Sequence, residues 1–172
     1  MDFGQFKNVK PGLLISTLVI LLGFCLGGLF GAYEEDIQGY LLQKAQTVQE
    51  QVYHGDEVKM AYVCDKAWEY LKLAHTHALG LGPAALLLIL LLSFISMNPM
   101  LKYMTSMMMA LGALGYPLYW TILAFRTPLI GEPELAKESL GIIAKPAAGL
   151  SIIAIVIIIA AFVVNMAGKR KA

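Results

Sequence analysis

Two histidines stand two residues apart in the segment 74–83, where a charged helical pattern gives way to an uncharged apolar run at 84–95. Imidazole is the commonest side-chain ligand of transition metals, and it also binds the iron of b-type haem. We therefore treat His75 and His77 as candidate ligands of a metal ion or a haem. Two alternatives stay open: both imidazoles are polar anchors at the membrane surface, or they sense pH.

The spacing of the two histidines predicts that they face different neighbours. Residues two apart lie about 200° from each other around a regular α-helix. His75 continues the apolar series of Trp68 and Leu71, so we expect it to face the helical bundle, whereas His77 lies on the side of Tyr70. Both rings can reach one site only if the glycines and the proline that follow them distort the helix.

Other groups that could complete a metal site are predicted at the same end of the helices. They are four charged side chains and the third histidine: Glu34, Glu35, Arg126, Glu138 and His54. Carboxylates together with imidazoles favour zinc, iron or manganese, so the three glutamates are predicted metal ligands beside the histidine pair. The simpler alternative is an ion pair between Arg126 and Glu34 or Glu35, because a charge near lipid needs a partner.

A haem held by two imidazoles normally requires histidines on different helices. His54 lies several helical turns away from His75 and His77, too far to help easily. A single chain therefore does not readily supply both histidine ligands of a haem. We expect such a site to be shared in a homo-oligomer or with a subunit of a larger membrane complex.

The chain has the composition of a membrane protein, since 58% of its 172 residues are hydrophobic. About 20 apolar residues cross a hydrocarbon core of ~30 Å. Four such stretches predict spans at 12–32, 78–97, 101–125 and 147–167. The predicted fold is an all-α, four-helix transmembrane bundle in which residues 1–172 form a single integral membrane domain in the lipid bilayer.

Residues 33–77 are predicted to form an extracytoplasmic helical hairpin that extends the first and second spans. Nothing between residues 32 and 36 forces a break, so the first helix is expected to continue outward. Gly55 can adopt the left-handed conformation that closes a helix, and Asp56 is a good N-cap for the next one. Each helix of the hairpin carries an apolar stripe with which it can pack on the other.

Proline and glycine predict where the other helices bend or end. Pro83 removes one backbone hydrogen bond and predicts a kink or loosened turn below the histidines. Asn98 and Pro99 predict a tight turn between the second and third spans. The third span is predicted to end at 126–128, and a short helix is predicted at 134–144 before the fourth span.

Glycines recur every fourth residue in the first span at Gly23, Gly27 and Gly31. Such a series gives a helix a smooth face that another helix can approach closely. The partner is either another helix of this chain or a second copy in a dimer.

The distribution of charge predicts the orientation. Segments 1–10, 98–102 and 168–172 carry six basic residues against Asp2 alone, whereas the hairpin and the 126–146 loop carry seven basic residues against eleven acidic ones. Because basic residues favour the cytoplasmic side, both termini are predicted to be cytoplasmic.

Several functional classes lack their sequence signatures. The chain has no phosphate-binding glycine loop, no H-E-x-x-H motif and no nucleophile elbow, so it is not expected to be an enzyme of these classes. The middles of the predicted spans hold no charged residue, which argues against an ion pump or proton-coupled transporter. No basic stripe indicates nucleic-acid binding.

The segment 75–80, His-Thr-His-Ala-Leu-Gly, resembles small and mostly uncharacterised four-span proteins of the bacterial inner membrane. The similarity extends to Gly-Tyr-Pro-Leu-Tyr-Trp at 115–120 and to Ala-Lys-Glu-Ser at 136–139. The histidine pair that opens a span is also distantly similar to helices of the haem-copper oxidase superfamily. These resemblances imply a multi-pass protein of the bacterial inner (plasma) membrane and add weight to a haem or redox association.

Two functions follow as hypotheses. In the first, the chain is a non-enzymatic membrane subunit that binds a transition metal or b-type haem at its outer face, for electron transfer or sensing within a larger complex. In the second, it is a structural or interaction protein without a cofactor that uses the outer hairpin for docking.

Overall fold

The computed structural model describes residues 4–169, and every regular element in that range is helical. A short 3-10 turn at Gly4–Phe6 precedes the first helix. The helices are α1 (Lys10–Gln46), α2 (Glu57–Phe94), α3 (Pro99–Ile130), α4 (Pro133–Ser139) and α5 (Gly141–Lys169). A π-helical turn, Gln49–Tyr53, lies between α1 and α2.

Four of the helices, α1, α2, α3 and α5, are long and apolar enough to cross a membrane. This confirms the predicted all-α protein with four candidate spans. α3 contacts each of the other three, while α5 packs mainly on α3. α3 therefore forms the centre of the bundle, with α1 and α2 on one side and α5 on the other.

Close contact between α1 and α2 depends on small residues. A side chain at Gly23 would meet Leu79 at 2.7 Å, and one at Gly27 would meet the His75 ring at 2.7 Å. Gly28 and Gly31 have open space around them. Gly23 and Gly27 thus pack against this chain's own second span, so they do not form a free face for dimerisation.

The buried side chains form three clusters that succeed one another along α2. The first surrounds Ile89 and Leu92, the second surrounds Tyr70 and Leu71, and the third surrounds Val63. The first two clusters draw residues from three or more helices, so each holds the bundle together at a different level.

The turn between α1 and α2 has the predicted chemistry. The carboxylate of Asp56 accepts a hydrogen bond of 2.9 Å from the backbone N–H of Lys59, which caps α2. Gly55 has a φ of +76°, as its sequence position suggested. His54 also has a positive φ, +53°, which the sequence did not indicate.

The turn is not free-standing, because the end of α3 rises beside it. The hydroxyl of Tyr53 donates a hydrogen bond of 2.6 Å to the carbonyl oxygen of Pro128, and Tyr53 is only 1% exposed. Lys59 forms an ion pair of 3.2 Å with Glu132, just beyond α3.

Helix α3 does not end at 126–128 as predicted but continues through Pro128 to Ile130. A proline removes one N–H and strains one turn. Here Pro128 is buried, and its carbonyl oxygen accepts the hydrogen bond from Tyr53, which helps to hold the turn in place. The helix ends at Gly131, whose φ of +74° suits a left-handed C-terminal residue.

Three further boundaries differ from the prediction. α2 ends at Phe94 rather than at residue 97, because Ile95 is extended where the chain turns toward Asn98. The Asn98 carboxamide oxygen accepts bonds from the N–H groups of residues 100 and 101, so the predicted turn there is confirmed. The helix predicted at 134–144 is divided at Leu140, which is buried and non-helical, and α5 begins at Gly141, six residues early.

Helix α1 contains a break in helical geometry. Tyr33 has non-helical angles, φ −135° and ψ 30°, although no break was predicted there. Gly27, Gly28 and Gly31 weaken the preceding turns, since glycine costs about 1 kcal/mol in a helix interior. α2 remains one helix through Pro83.

A first prediction concerns the contact between α3 and α5. A Cβ atom at Gly112 would lie 2.6 Å from the carbonyl oxygen of Ala147 and 2.9 Å from the backbone nitrogen of Ser151, so Gly112→Ala must push α5 away. We expect it to lower the stability by roughly 1–3 kcal/mol, as overpacking does. Thermal unfolding in a neutral detergent measures this. The control Gly149→Ala, which meets open space, is expected to keep its stability, and equal losses would contradict the packing described.

A second prediction concerns pH. Burial, with a smaller contribution from the charge of Cys64, raises the pKa of Tyr53 from 10.0 to about 12. The folded state therefore holds this proton more tightly, and the stability that it contributes is complete below pH 10 and is lost as the pH rises to about 12. Tyr53→Phe has no such proton and does not lose this contribution. Its free energy of unfolding should therefore rise relative to that of the original protein between pH 10 and 12. Parallel unfolding profiles over that interval would contradict the assignment.

Candidate functional site

The imidazole of His75 lies in the groove of α1. Its Nδ1 is 2.8 Å from the carbonyl oxygen of Gly23, and its ring stands edge-on to Phe30 with the centroids 5.9 Å apart. The absence of a side chain at Gly27 leaves room for the ring. The half-buried His75 therefore joins α2 to α1 by a hydrogen bond between side chain and backbone.

The imidazole of His77 faces α3 instead. It stacks on Trp120 at an interplanar angle of 19°, with the centroids 5.8 Å apart, and it meets Tyr116 edge-on at 4.9 Å. Its Nδ1 is 2.7 Å from the carbonyl oxygen of Leu73, one turn earlier in α2. The two histidines thus address different helices, as their spacing predicted, and they do not converge on one site.

The hydrogen bonds determine which ring nitrogen is available. A carbonyl oxygen can only accept, so Nδ1 carries the proton in both His75 and His77. In a neutral imidazole the lone pair then lies on Nε2. Neither Nε2 forms a hydrogen bond with the residues that the structure describes. A metal-ligating histidine usually donates the N–H of one ring nitrogen to a group such as a backbone carbonyl, while its other ring nitrogen binds the metal.

A cavity of about 330 Å³ adjoins His77 between α2, α3 and α5. Its lining is mostly apolar, with the polar groups of His77, Tyr116 and Ser151 in its wall. Ligand pockets in proteins typically combine such apolar walls with a few polar groups. The cavity distinguishes His77 from His75, whose ring is packed against α1.

The aromatic residues beside His77 form a continuous cluster. Tyr116, Tyr119 and Trp120 contact one another, and Trp120 also contacts Tyr70. The indole Nε1 of Trp120 is buried and has no hydrogen-bond partner within residues 4–169. Sequence reasoning did not connect these rings to His77. Their spacing on one face of α3 was the available signal, but the pairing of α2 with α3 could not be read from it.

The other predicted site residues are not brought together with the histidines. Glu34 and Glu35 are exposed on α1, Glu138 is exposed on α4, and His54 lies at the tip of the hairpin. Across residues 4–169, no group of three or more histidine, cysteine, aspartate or glutamate side chains is close enough to hold a metal ion.

The alternative ion pair of Arg126 with Glu34 or Glu35 is not formed either. The ion pairs in the described part of the chain are Lys59–Glu132, Lys66–Glu69 and Lys137–Glu134. Glu34 instead accepts a hydrogen bond of 3.0 Å from the side-chain amide of Gln38. Arg126 is exposed beside the apolar surface of α3.

Comparison with known proteins gives no further assignment. No family model matches the chain, and neither a curated protein nor a solved structure is significantly similar to it.

A third prediction tests the position of His75. Gly27→Ala places a methyl group 2.7 Å from Cε1 of His75, so the ring must move and its bond to the Gly23 carbonyl must lengthen. Nitrogen-15 NMR of the imidazole should show the change, and the unfolding temperature should fall. Gly28→Ala is the matched control, because its methyl group meets open space. An unchanged His75 signal in Gly27→Ala would contradict the contact.

Proposed function

We propose that this protein is a membrane subunit that binds b-type haem, or another transition-metal cofactor, through Nε2 of His77. Its role is electron transfer or sensing within a larger complex. The observation that carries the proposal is the geometry of His77, whose Nδ1 is engaged by the Leu73 carbonyl while its ring lines a mostly apolar cavity. The distant resemblance of the pair His75 and His77 to helices of the haem-copper oxidase superfamily points in the same direction.

The residues around His77 suit a flat, apolar group. Trp120 and Tyr116 supply aromatic surface, and Leu81, Ala147 and Ile155 supply aliphatic surface. When bound, haem supplies one-electron redox chemistry. The protein's part is to orient His77 through the Leu73 carbonyl and to keep water away from the ligand with the surrounding side chains.

Within this chain His77 alone would hold the haem, because the ring of His75 is engaged with α1. We propose that a second copy or a partner subunit would supply a further ligand. His75 then acts as a positioning residue, since it holds α2 against α1 through the carbonyl of Gly23. The role of Glu34, Glu35 and Glu138 as metal ligands stays a prediction that requires additional donors from a partner.

We also propose an orientation in the membrane. The four helices that are long and apolar enough to cross a membrane support a multi-pass membrane protein. The excess of basic residues in segments 1–10, 98–102 and 168–172 supports cytoplasmic termini and an extracytoplasmic hairpin at 33–77. The resemblance to four-span proteins supports the bacterial inner membrane as its location.

A second candidate function is that of a structural or interaction protein that docks a partner on the hairpin. Val58 is 82% exposed and Tyr62, one turn later, is 54% exposed, although both lie in the charged part of α2. Under this proposal the partner covers these two side chains. This function requires no cofactor.

A fourth prediction distinguishes the two functions. His77→Asn keeps an amide donor near the Leu73 carbonyl and removes Nε2. If His77 ligates haem, the sharp α-band in the reduced-minus-oxidised spectrum of the detergent-purified protein should be present in the original and absent from His77→Asn. His75→Asn, which keeps a donor toward Gly23, is the matched control and should retain the band.

The other outcomes contradict the proposal in distinct ways. A band that persists in His77→Asn would exclude His77 as the ligand. A flat spectrum of the original protein would exclude haem. Metal analysis of that same sample would then separate a colourless metal site from the cofactor-free docking protein.

A further inference from the structure

An exposed apolar face of α5 extends beyond the span predicted at 147–167. Ile153 and Val156 are 51% and 58% exposed on this face. Ile142 lies on the same face, because eleven residues correspond to about three turns of an α-helix, and it is 83% exposed. Gly149, between them on that face, has open space around it. A single apolar face therefore runs from the middle of α5 to its first turn.

The packing of α5 on α3 gives the depth of this first turn. A Cβ atom at Gly115 would lie 2.9 Å from Cβ of Ala147, so the two helices touch at these residues. The helices run in opposite directions along the chain. Five residues of helix, or about 7.5 Å, lead outward from this contact to Ile142 on α5 and to Trp120 on α3. Because tryptophan and tyrosine are enriched where a bilayer meets water, Trp120 marks that boundary and Ile142 lies level with it.

The length of α5 fits a bilayer with this boundary. The helix holds no charged residue between Lys145 and Lys169. The 24 residues of helix from one lysine to the other span about 36 Å. The hydrocarbon core of a bilayer is ~30 Å thick, and the headgroups increase the thickness to about 40–45 Å. The spacing therefore suits one lysine in each headgroup layer, with the apolar residues between them in hydrocarbon.

The side chain of Lys145 extends toward the headgroup layer. Lys145 is exposed, and its Cε lies 3.7 Å from the position of a Cβ atom at Gly141, so the side chain follows the helix toward its first turn. The ion pairs within residues 4–169 do not include Lys145. A lysine beside lipid covers apolar surface with its stem and places its ammonium among the headgroups. At this depth a lipid phosphate supplies the opposite charge.

We propose that the first turn of α5 binds a phospholipid of the leaflet beside the hairpin, with the ammonium of Lys145 on its phosphate and Ile142 at the headgroups. An acyl chain of this lipid lies along the exposed face, past Gly149 toward Ile153. The occupant is a lipid because the face is continuous with the part of α5 that is long and apolar enough to cross the bilayer. The site is independent of the cavity beside His77.

Tryptophan fluorescence in phosphatidylcholine nanodiscs tests the depth of Ile142. Ile142→Trp and Val58→Trp form a matched pair, because the original side chains are 83% and 82% exposed, the one on α5 and the other on the hairpin. The emission added by Ile142→Trp should be blue-shifted and quenched by brominated phosphatidylcholine. The emission added by Val58→Trp should be quenched by iodide instead. The original protein in the same nanodiscs gives the background of Trp68 and Trp120.

The same variant tests the role of Lys145, because the tryptophan of Ile142→Trp reports on this turn alone. In dodecylmaltoside micelles, brominated phosphatidylglycerol should quench it saturably, and brominated diacylglycerol, which lacks the phosphate, should bind more weakly. Lys145→Gln added to Ile142→Trp should weaken the affinity for the phospholipid roughly fivefold, the effect of one lysine at an anionic lipid surface. Lys145→Arg should retain the affinity. Lys44→Gln is the control, because Lys44 lies on the hairpin, and it should bind as its parent does.

Four results would overturn the proposal. Equal iodide quenching of Ile142→Trp and Val58→Trp would place the first turn of α5 in water. Protection of Ile142→Trp from both quenchers would assign the face to a second copy of the chain. Equal affinity for phosphatidylglycerol and diacylglycerol would exclude the phosphate as the recognised group. Equal affinity in Lys145→Gln and Lys44→Gln would remove the ammonium from the lipid contact.

Discussion

The bundle depends on how closely its helix backbones approach one another. Lipid does not drive apolar helices together as water does, so their association relies on close packing and on interhelical hydrogen bonds. Here the approach is made at Gly23 and Gly27 between α1 and α2, and at Gly112 between α3 and α5. The bond from the His75 imidazole to the Gly23 carbonyl can form only because the neighbouring Gly27 has no side chain. The side chains of the candidate site take their positions from the resulting arrangement of α1, α2 and α3.

This arrangement gives two chemically identical side chains different roles. His75 uses its Nδ1 to reach another helix, so its ring contributes to the assembly of the bundle. His77 uses its Nδ1 for a hydrogen bond within α2, so this bond does not tie the ring to another helix. The ring instead stacks on Trp120 and lines a cavity. The difference arises from an angle of about 200° between positions two residues apart on a helix.

Two cavities lie near the level where α2 changes from charged to apolar residues. Such a level is favourable for amphiphilic ligands, because apolar walls and polar groups are both within reach. One cavity, between α2, α3 and α5, is lined by the imidazole of His77 and the ring of Tyr116, and the other, between α1, α2 and α3, is lined by apolar side chains and the carboxylate of Asp36.

The sequence by itself determined the four apolar helices, the turn at Gly55 and Asp56, and the divergence of His75 and His77. These properties are local, because they follow from composition over about 20 residues, from capping chemistry and from helical periodicity. Which helix each histidine meets and the continuation of α3 past Pro128 were decided by the tertiary structure. They depend on contacts between residues distant in the chain, such as Tyr53 with Pro128 and His77 with Trp120, and no periodicity within one helix specifies its partner.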